Sequence, residues 1–380
     1  MNGEWLTIKI RSMILRLSAE EKQKCQKFLD VKEANISAAE IYIDFLTNNS
    51  RKITKSDVQK IAEKYGKKDA YFHAFLHTEK LSQNNRQFSE ICDTCNINDI
   101  KSLNINDYSS DKYYEKFGRF IKVENDCAFT TQEYLPFEGF VYDELDVDTE
   151  AYSEHTPIGY FENKFPYFAL IKNDQIWMSV IPHEINTMKE PIKHAYGRAL
   201  VLGLGIGYFL YHIHLKDDVE KIVVIEKDPA IIHLFNQDLL GKFEFRDKIE
   251  IVEGDAIEYM KKHHDFDYVF ADLWHNVGDG EGLYLTLKAL EKNLPDATFD
   301  YWIERSILCM LRRQLLTVYE EQLFGSERED YLEGNNENDF IINRLYFLTE
   351  DVVIDSAKKL HDLLSEASLK ELAKQIFYSL

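Results

Sequence analysis

Leu200-Val-Leu-Gly-Leu-Gly-Ile-Gly-Tyr208 is the stretch from which the fold can be read. An apolar run ends in Gly203-x-Gly205-x-Gly207 and leads into Tyr208 to His214, which reads as a strand, a tight turn and a helix. Glycine permits such a turn and lets backbone approach a ligand closely. A dinucleotide fingerprint requires G-x-G-x-x-G. Counted from Gly203 its last position is Tyr208, and counted from Gly205 it is Leu210. Both registers lack the third glycine, which allows the helix–strand packing needed around a pyrophosphate. A ligand without pyrophosphate fits better.

Three more apolar runs follow, and each ends in a polar or glycine-rich feature. Ile222-Val-Val-Ile225 runs into Glu226, where an acid can accept hydrogen bonds from both hydroxyls of a ribose. Lys227 and Asp228 come next, and Pro229 opens a helix predicted to reach Leu240. Ile249-Glu-Ile-Val252 leads into Glu253-Gly254-Asp255-Ala256, where a carboxylate can accept the exocyclic amine of an adenine, and a helix is predicted over Ala256 to His263. Tyr268-Val-Phe-Ala271 ends in Asp272-Leu-Trp-His-Asn276. Three of the four runs are nearly continuous, as in strands buried on both faces. Strands alternating with helices predict an α/β fold, a doubly wound (Rossmann-like) mostly parallel sheet whose strand ends share one ligand-binding edge.

On these residues, Arg198 to Asn276 resembles a class I S-adenosylmethionine-dependent methyltransferase, and in texture the spermidine-synthase-like branch of that superfamily. The resemblance implies that Gly203, Gly205 and Gly207 pass close to the cofactor's amino-acid arm, with Glu226 on the ribose and Asp255 and Ala256 on the adenine. Tyr208, Lys227 and Asp272 complete the expected cofactor-binding set, and the cofactor implied is S-adenosyl-L-methionine. Three departures stand out. Gly203 replaces the acid that many methyltransferases carry two residues before the second motif glycine. Asp272-Leu-Trp-His-Asn276 lacks the second Asp and the Pro of the aminopropyltransferase Asp-x-x-Asp-Pro run, which counts against polyamine synthesis. An Asn-Pro-Pro-Tyr sequence is absent as well.

Methyl transfer is an in-line displacement at a sulfonium, so the protein mainly aligns the acceptor and, where needed, takes its proton. Asp272 is the expected base, with an N-cap as its structural alternative. His275 is the second candidate. Trp274 and Tyr208 offer aromatic faces to a sulfonium. Glu184, in the His183-Glu184 pair after a predicted hairpin, and Trp274 are the expected acceptor contacts. The expected activity is methyl transfer to a small-molecule or protein acceptor. The alternatives are a spermidine-synthase-like aminopropyltransferase and a non-catalytic S-adenosylmethionine-binding interaction protein.

The rest of the chain frames this segment. All seven prolines lie between Pro136 and Pro295, so both ends suit helices. The expected divisions are a helical N-terminal domain (1–133), a connector with a β-hairpin (134–196), the nucleotide-binding domain (197–305) and a helical C-terminal extension (306–380). Ser37-Ala-Ala-Glu40 has the form of a capping box and predicts a helix start. Thr54 to Tyr65 and Asp69 to Leu81 read as helices. Val141 to Thr156 carries six acids and no Lys or Arg, which predicts a solvated connector. Tyr167 to Ile171 and Ile176 to Val180 flank Asn173-Asp174 and predict the hairpin. Glu320 to Asp339 predicts an exposed loop.

Forty-five basic against 66 acidic side chains leave a net charge of -21, which repels phosphate backbones and argues against nucleic acid as the partner. No apolar run approaches the ~20 residues of a membrane span. The N-terminus lacks the pattern of a secretory signal. Five cysteines in a long chain fit a reducing cytoplasm, and a homodimer is compatible with all of this. His73, His77, Cys92 and Cys95 are the right residue types for tetrahedral zinc, although Tyr71, Phe72 and Phe75 could simply pack with the histidines. No metal is expected at the nucleotide site.

Overall fold

The computed structural model describes residues 17–118, 122–124, 127–325 and 336–377. An antiparallel sheet is formed by β1 (Lys122–Glu124), β2 (Cys127–Tyr134), β3 (Phe165–Lys172) and β4 (Gln175–Ser179), in the order β1-β2-β3-β4. The predicted hairpin is β3–β4. Asn173 and Asp174 turn it with φ of 51° and 60°, the left-handed pair that a two-residue hairpin loop requires.

The predicted α/β core follows as a five-stranded sheet. It comprises β5 (Gly197–Leu202), β6 (Val219–Glu226), β7 (Ile249–Glu253), β8 (Tyr268–Ala271) and β9 (Thr298–Tyr301). Every pairing is parallel and the order is β7-β6-β5-β8-β9. The chain therefore steps outward from β5 to β7, returns to β8, and reverses between β5 and β8, where such sheets open a crevice. Ala199–Leu202, Ile222–Ile225 and Tyr268–Ala271 are fully buried, which accounts for their unbroken apolar runs. The fifth strand escaped the sequence reading because Thr-Phe-Asp-Tyr at an edge needs no apolar run. The helix Val277–Leu290 escaped it because Gly278, Gly280 and Gly282 mask the helical signal. A side chain at position 280 would stand 2.6 Å from the Trp274 ring, so the glycine is required by packing. The helices after β6 and β7 are shorter than expected, Pro229–Asp238 and Ala256–Met260.

The N-terminal region starts with one continuous helix, Ala19–Asp44, capped by Ser18, whose Oγ accepts from Glu21 N at 3.1 Å. Ser37 therefore lies inside a helix and Ser37-x-x-Glu40 is not a cap. Nothing between Ser18 and Ser37 breaks the helix, so the motif alone misplaced its start. Thr54 does form a capping box with Asp57, at the head of Lys55–Tyr65. A second buried cluster around Phe45, Tyr71 and Phe75 draws in Ile158 and Tyr160 from the connector. Ile158–Tyr160 pairs with both Ile100–Ser102 and Gly139–Val141, so the connector is built into this core.

Among the described residues no three His, Cys, Asp or Glu side chains converge as metal ligands. His73 stacks on Tyr65 at 3.7 Å and the Cys95 thiol faces Asn35 Oδ1 at 3.4 Å. Burial pushes Cys92 up to about 11 and Cys95 to about 12, which disfavours the thiolates that zinc needs.

The acidic connector is docked rather than merely solvated. Glu154 is 4% exposed and accepts from both Nε and Nη2 of Arg313, on the long helix Glu304–Phe324. Its backbone N–H donates to Asn35 Oδ1, and Glu144 accepts from Ser306 N. Charge in sequence hid this, because a buried carboxylate with a fork-shaped partner looks like any other acid until the partner is known. Glu320 to Phe324 continue that helix and Glu337–Thr349 forms the next, contrary to the predicted loop, whose middle (326–335) lies outside the described residues. Residues 1–16, on which the reading of the N-terminus falls, lie outside them too. Among the described residues no helix is long and apolar enough to cross a membrane.

Arg313→Ala strands the Glu154 carboxylate in the interior and is expected to destabilise the fold by about 3 kcal/mol. Urea unfolding followed by circular dichroism measures it. A midpoint equal to the parent protein's would show that the pair does not hold the connector to the C-terminal helix.

Candidate active site

The turn after β5 requires its glycines. Gly203 has φ +100°, and a Cβ there would fall 2.0 Å from the Asp272 carbonyl oxygen at the end of β8. Gly205 has φ +52°, and a Cβ there would meet Met178 Sδ at 2.3 Å. The turn is thus pressed between the end of β8 and the hairpin strand β4. Gly207 caps the helix Tyr208–His214.

The Glu226 carboxylate ties the turn to the neighbouring strand end. Oε2 accepts from Leu204 N at 3.1 Å and Oε1 from Asp228 N at 2.9 Å. From behind, Tyr113 Oη donates to the Ile206 carbonyl. Tyr208 Oη donates to Asp111 Oδ2 at 3.1 Å, and that carboxylate also meets His212 Nε2 at 3.2 Å. Tyr208 is buried here, beside a void of about 30 Å³ that shares Glu184, Gly203 and Asp272 with the main cleft, and does not itself line that cleft. Asp111 and Tyr113 gave no sequence signal, since they precede the turn by about ninety residues and carry no motif.

The main cleft, about 590 Å³, opens at the carboxyl edge of the parallel sheet. Gly203, Gly205, Glu226, Lys227, Asp255 and Ala256 line one side of it. Asp255 also caps the following helix, its Oδ1 accepting from Glu258 N at 2.9 Å. Glu184, on the short helix Pro182–Thr187, and Asp272, Trp274 and His275, after β8, line the other side. All the expected site residues except Gly207 and Tyr208 therefore share one cavity, and those two line the small void beside it. The buried Trp274 donates from Nε1 to the Trp302 carbonyl at 3.2 Å. The exposed His275 has its Nδ1 3.0 Å from Asp279 Oδ2 and its ring edge-on to Trp177 at 4.4 Å. Trp177 and Lys172 were missed as site residues. They sit on the hairpin, with Lys172 Nζ 5.0 Å over the Trp177 ring and paired with Asp228. The hairpin itself was legible, but its docking on the cleft was not.

The inner end of the cleft is acidic. Burial, and then the neighbouring Asp272, push the Glu184 carboxyl well above its ordinary value. Burial, and then Glu226, push Asp272 up to about 7. Among the described residues neither side chain pairs with Lys or Arg. His183 lies 4.0 Å from Glu184, but burial lowers it to about 4, so it is neutral near pH 7 and supplies no charge. Carboxylates crowded together without a counter-ion favour a cationic ligand group and oppose an anionic one.

Residues 183–297 match the family model of the spermine/spermidine synthase domain. Comparison with curated proteins finds no match. Among solved structures, the chain is similar to a spermidine synthase from Thermotoga maritima, at 21% identity and a TM-score of 0.29, over 39% of this chain and 54% of that one. It is similar to a spermidine synthase bound to the transition-state analogue AdoDATO, at 21% identity and a TM-score of 0.30, over 39% and 56%. A precorrin-8w decarboxylase from Methanobacterium thermoautotrophicum aligns at 22% identity and a TM-score of 0.23, over 28% and 53%. The chain spans about half the length of these structures. The domain match corrects the expected cofactor. The spermidine synthase family consumes decarboxylated S-adenosylmethionine as a substrate, and does not use S-adenosyl-L-methionine as a cofactor. The match favours aminopropyl transfer over methyl transfer. From His183 to Ala297, this chain is similar to the spermine/spermidine synthase domain.

Proposed function

We propose that the protein is an aminopropyltransferase, moving the 3-aminopropyl group of decarboxylated S-adenosylmethionine to an amine. The observation that carries this is the unpaired Glu184–Asp272 carboxylate pair at the inner end of the cleft. A donor arm ending in an ammonium and a sulfonium relieves that crowding, whereas an arm ending in a carboxylate adds to it. The domain match at 183–297 supports the same reading. Glu226 and Asp255 take the ribose and adenine, and Lys227 stands at the rim.

The incoming amine arrives protonated and must lose a proton before it can attack. Asp272, with its value near 7, is matched to accept that proton at neutral pH. The amine lone pair then forms a bond to the propyl carbon attached to sulfur. The carbon–sulfur bond breaks with its electron pair passing to sulfur, leaving a neutral thioether and the product as a secondary ammonium ion. Glu184 orients the two cations, and Trp274 closes the floor beneath them.

Decarboxylated S-adenosylmethionine should bind at least about tenfold more tightly than S-adenosylmethionine, since one repelled charge is worth about 1.4 kcal/mol or more. Calorimetry with both compounds measures this, and equal affinities would overturn the proposal. Glu226→Ala should weaken donor binding by about 1–3 kcal/mol, from loss of a charged acceptor. Unchanged calorimetric affinity would remove the ribose assignment.

Asp272→Asn should lower kcat by about 10²–10⁴ at saturating donor, beyond the weaker donor binding that loss of one carboxylate of the pair brings. Because a raised carboxyl is protonated and inactive as a base below its own value, kcat/KM should rise with pH through the region near 7. Bound cations favour the carboxylate, so the corresponding limb in kcat should lie at lower pH. A flat profile in the parent enzyme would assign the proton transfer elsewhere.

A further inference from the structure

A second cavity, about 530 Å³, adjoins the donor cleft, and His275 and Trp302 line both. We propose that this cavity holds the body of the acceptor, and that the acceptor is a primary amine on a bulky apolar or aromatic frame instead of a short aliphatic diamine. The inference rests on the aminopropyl-transfer reading and names the substrate class of that same site.

The walls carry the argument. Tyr134, Phe140, Val141, Leu145, Val277 and Ile303 give most of their apolar surface, and of all the lining residues His183, His275, Asn276 and Val277 lie within residues 183–297. The acceptor side is thus built mostly by chain outside the domain match, from β2, the connector and the head of the helix Glu304–Phe324. No Lys or Arg lines the cavity. Of its two acids, Glu138 has a cationic partner and Asp143 only a backbone N–H. Glu138 is 6% exposed and accepts from Arg51 Nε and from Leu135 N, each at 2.8 Å. Asp143 Oδ1 accepts from Glu144 N at 2.8 Å. The aromatic faces are engaged as well. Tyr134 and Phe140 stack on each other at 4.1 Å, and Trp302 receives the His183 ring edge-on at 5.8 Å.

A diamine's far ammonium would find one carboxylate there, Asp143, in a lining that is otherwise mostly apolar. A four-carbon chain would also leave most of the cavity unfilled, and unfilled apolar wall forfeits contact energy. An apolar body fills it and needs no second counter-ion. Its single amino group then projects past His275 toward Asp272. There it gives up a proton, bonds to the propyl carbon and displaces the neutral thioether, as above.

The test compares 2-phenylethylamine, 1,4-diaminobutane and spermidine as acceptors, with decarboxylated S-adenosylmethionine as donor, reading release of the thioether by chromatography. The expected result is a kcat/KM for 2-phenylethylamine at least tenfold above either polyamine. Val141→Trp, which fills the cavity, should reduce that preference at least tenfold, with circular dichroism checking that the variant folds. A parent enzyme that prefers 1,4-diaminobutane or spermidine overturns the acceptor assignment and leaves aminopropyl transfer standing. Failure of every amine, with the donor unconsumed, overturns aminopropyl transfer itself and this inference with it. The parent comparison decides the matter even if the variant does not fold.

Discussion

One carboxylate joins the two halves of the binding edge. Glu226 accepts from Leu204 N in the glycine turn and from Asp228 N beyond its own strand. Charge-assisted bonds to backbone N–H groups are among the stronger ones available to a folded chain. They hold the turn at the height where Gly203 can press against the Asp272 carbonyl. The position of Asp272 therefore depends on the same arrangement that shapes the Glu226 side of the cleft. A turn that moved outward would open the contact between β5 and the loop after β8, and the two halves of the cleft would lose their common floor.

The electrostatics follow from that crowding. Glu226, Asp272 and Glu184 are brought together by three different elements: the end of β6, the end of β8 and a short helix after the hairpin. Packing alone would favour separating them. Their juxtaposition costs stability in the empty protein, because Glu184 and Asp272, already buried, further resist ionisation beside Asp272 and Glu226 respectively. Such a cost is commonly found where a ligand of opposite charge completes the site. The same logic separates a donor that ends in an ammonium from one that ends in a carboxylate.

The elements outside the domain match support this edge from behind and from the side. Asp111 and Tyr113 hold the back of the turn through Tyr208, His212 and the Ile206 carbonyl. The buried Glu154–Arg313 pair fastens the connector to the C-terminal helix, and Glu144 does the same at Ser306. These attachments place Phe140, Val141 and Leu145 beside Val277 and Ile303, so the second cavity is a product of tertiary docking.

What the sequence determined by itself was the local grammar: the strand–turn–helix at Gly203–Gly207, four parallel strands, the Asn173-Asp174 hairpin and the acids at the strand ends. These are legible because buried strands need continuous apolar runs and left-handed turns need glycine or asparagine. The edge strand β9, the glycine-bearing helix Val277–Leu290 and the true start of the first helix were not legible, because their stability comes from neighbours distant in sequence. Tertiary structure alone decided that Tyr208 faces Asp111 and not the cleft, that Trp177 and Lys172 reach the site, and that Glu154 is buried. Each depends on a partner 80 or more residues away in most cases (97 for Tyr208 and Asp111, 159 for Glu154 and Arg313), and the pattern around a single residue does not encode so remote a contact.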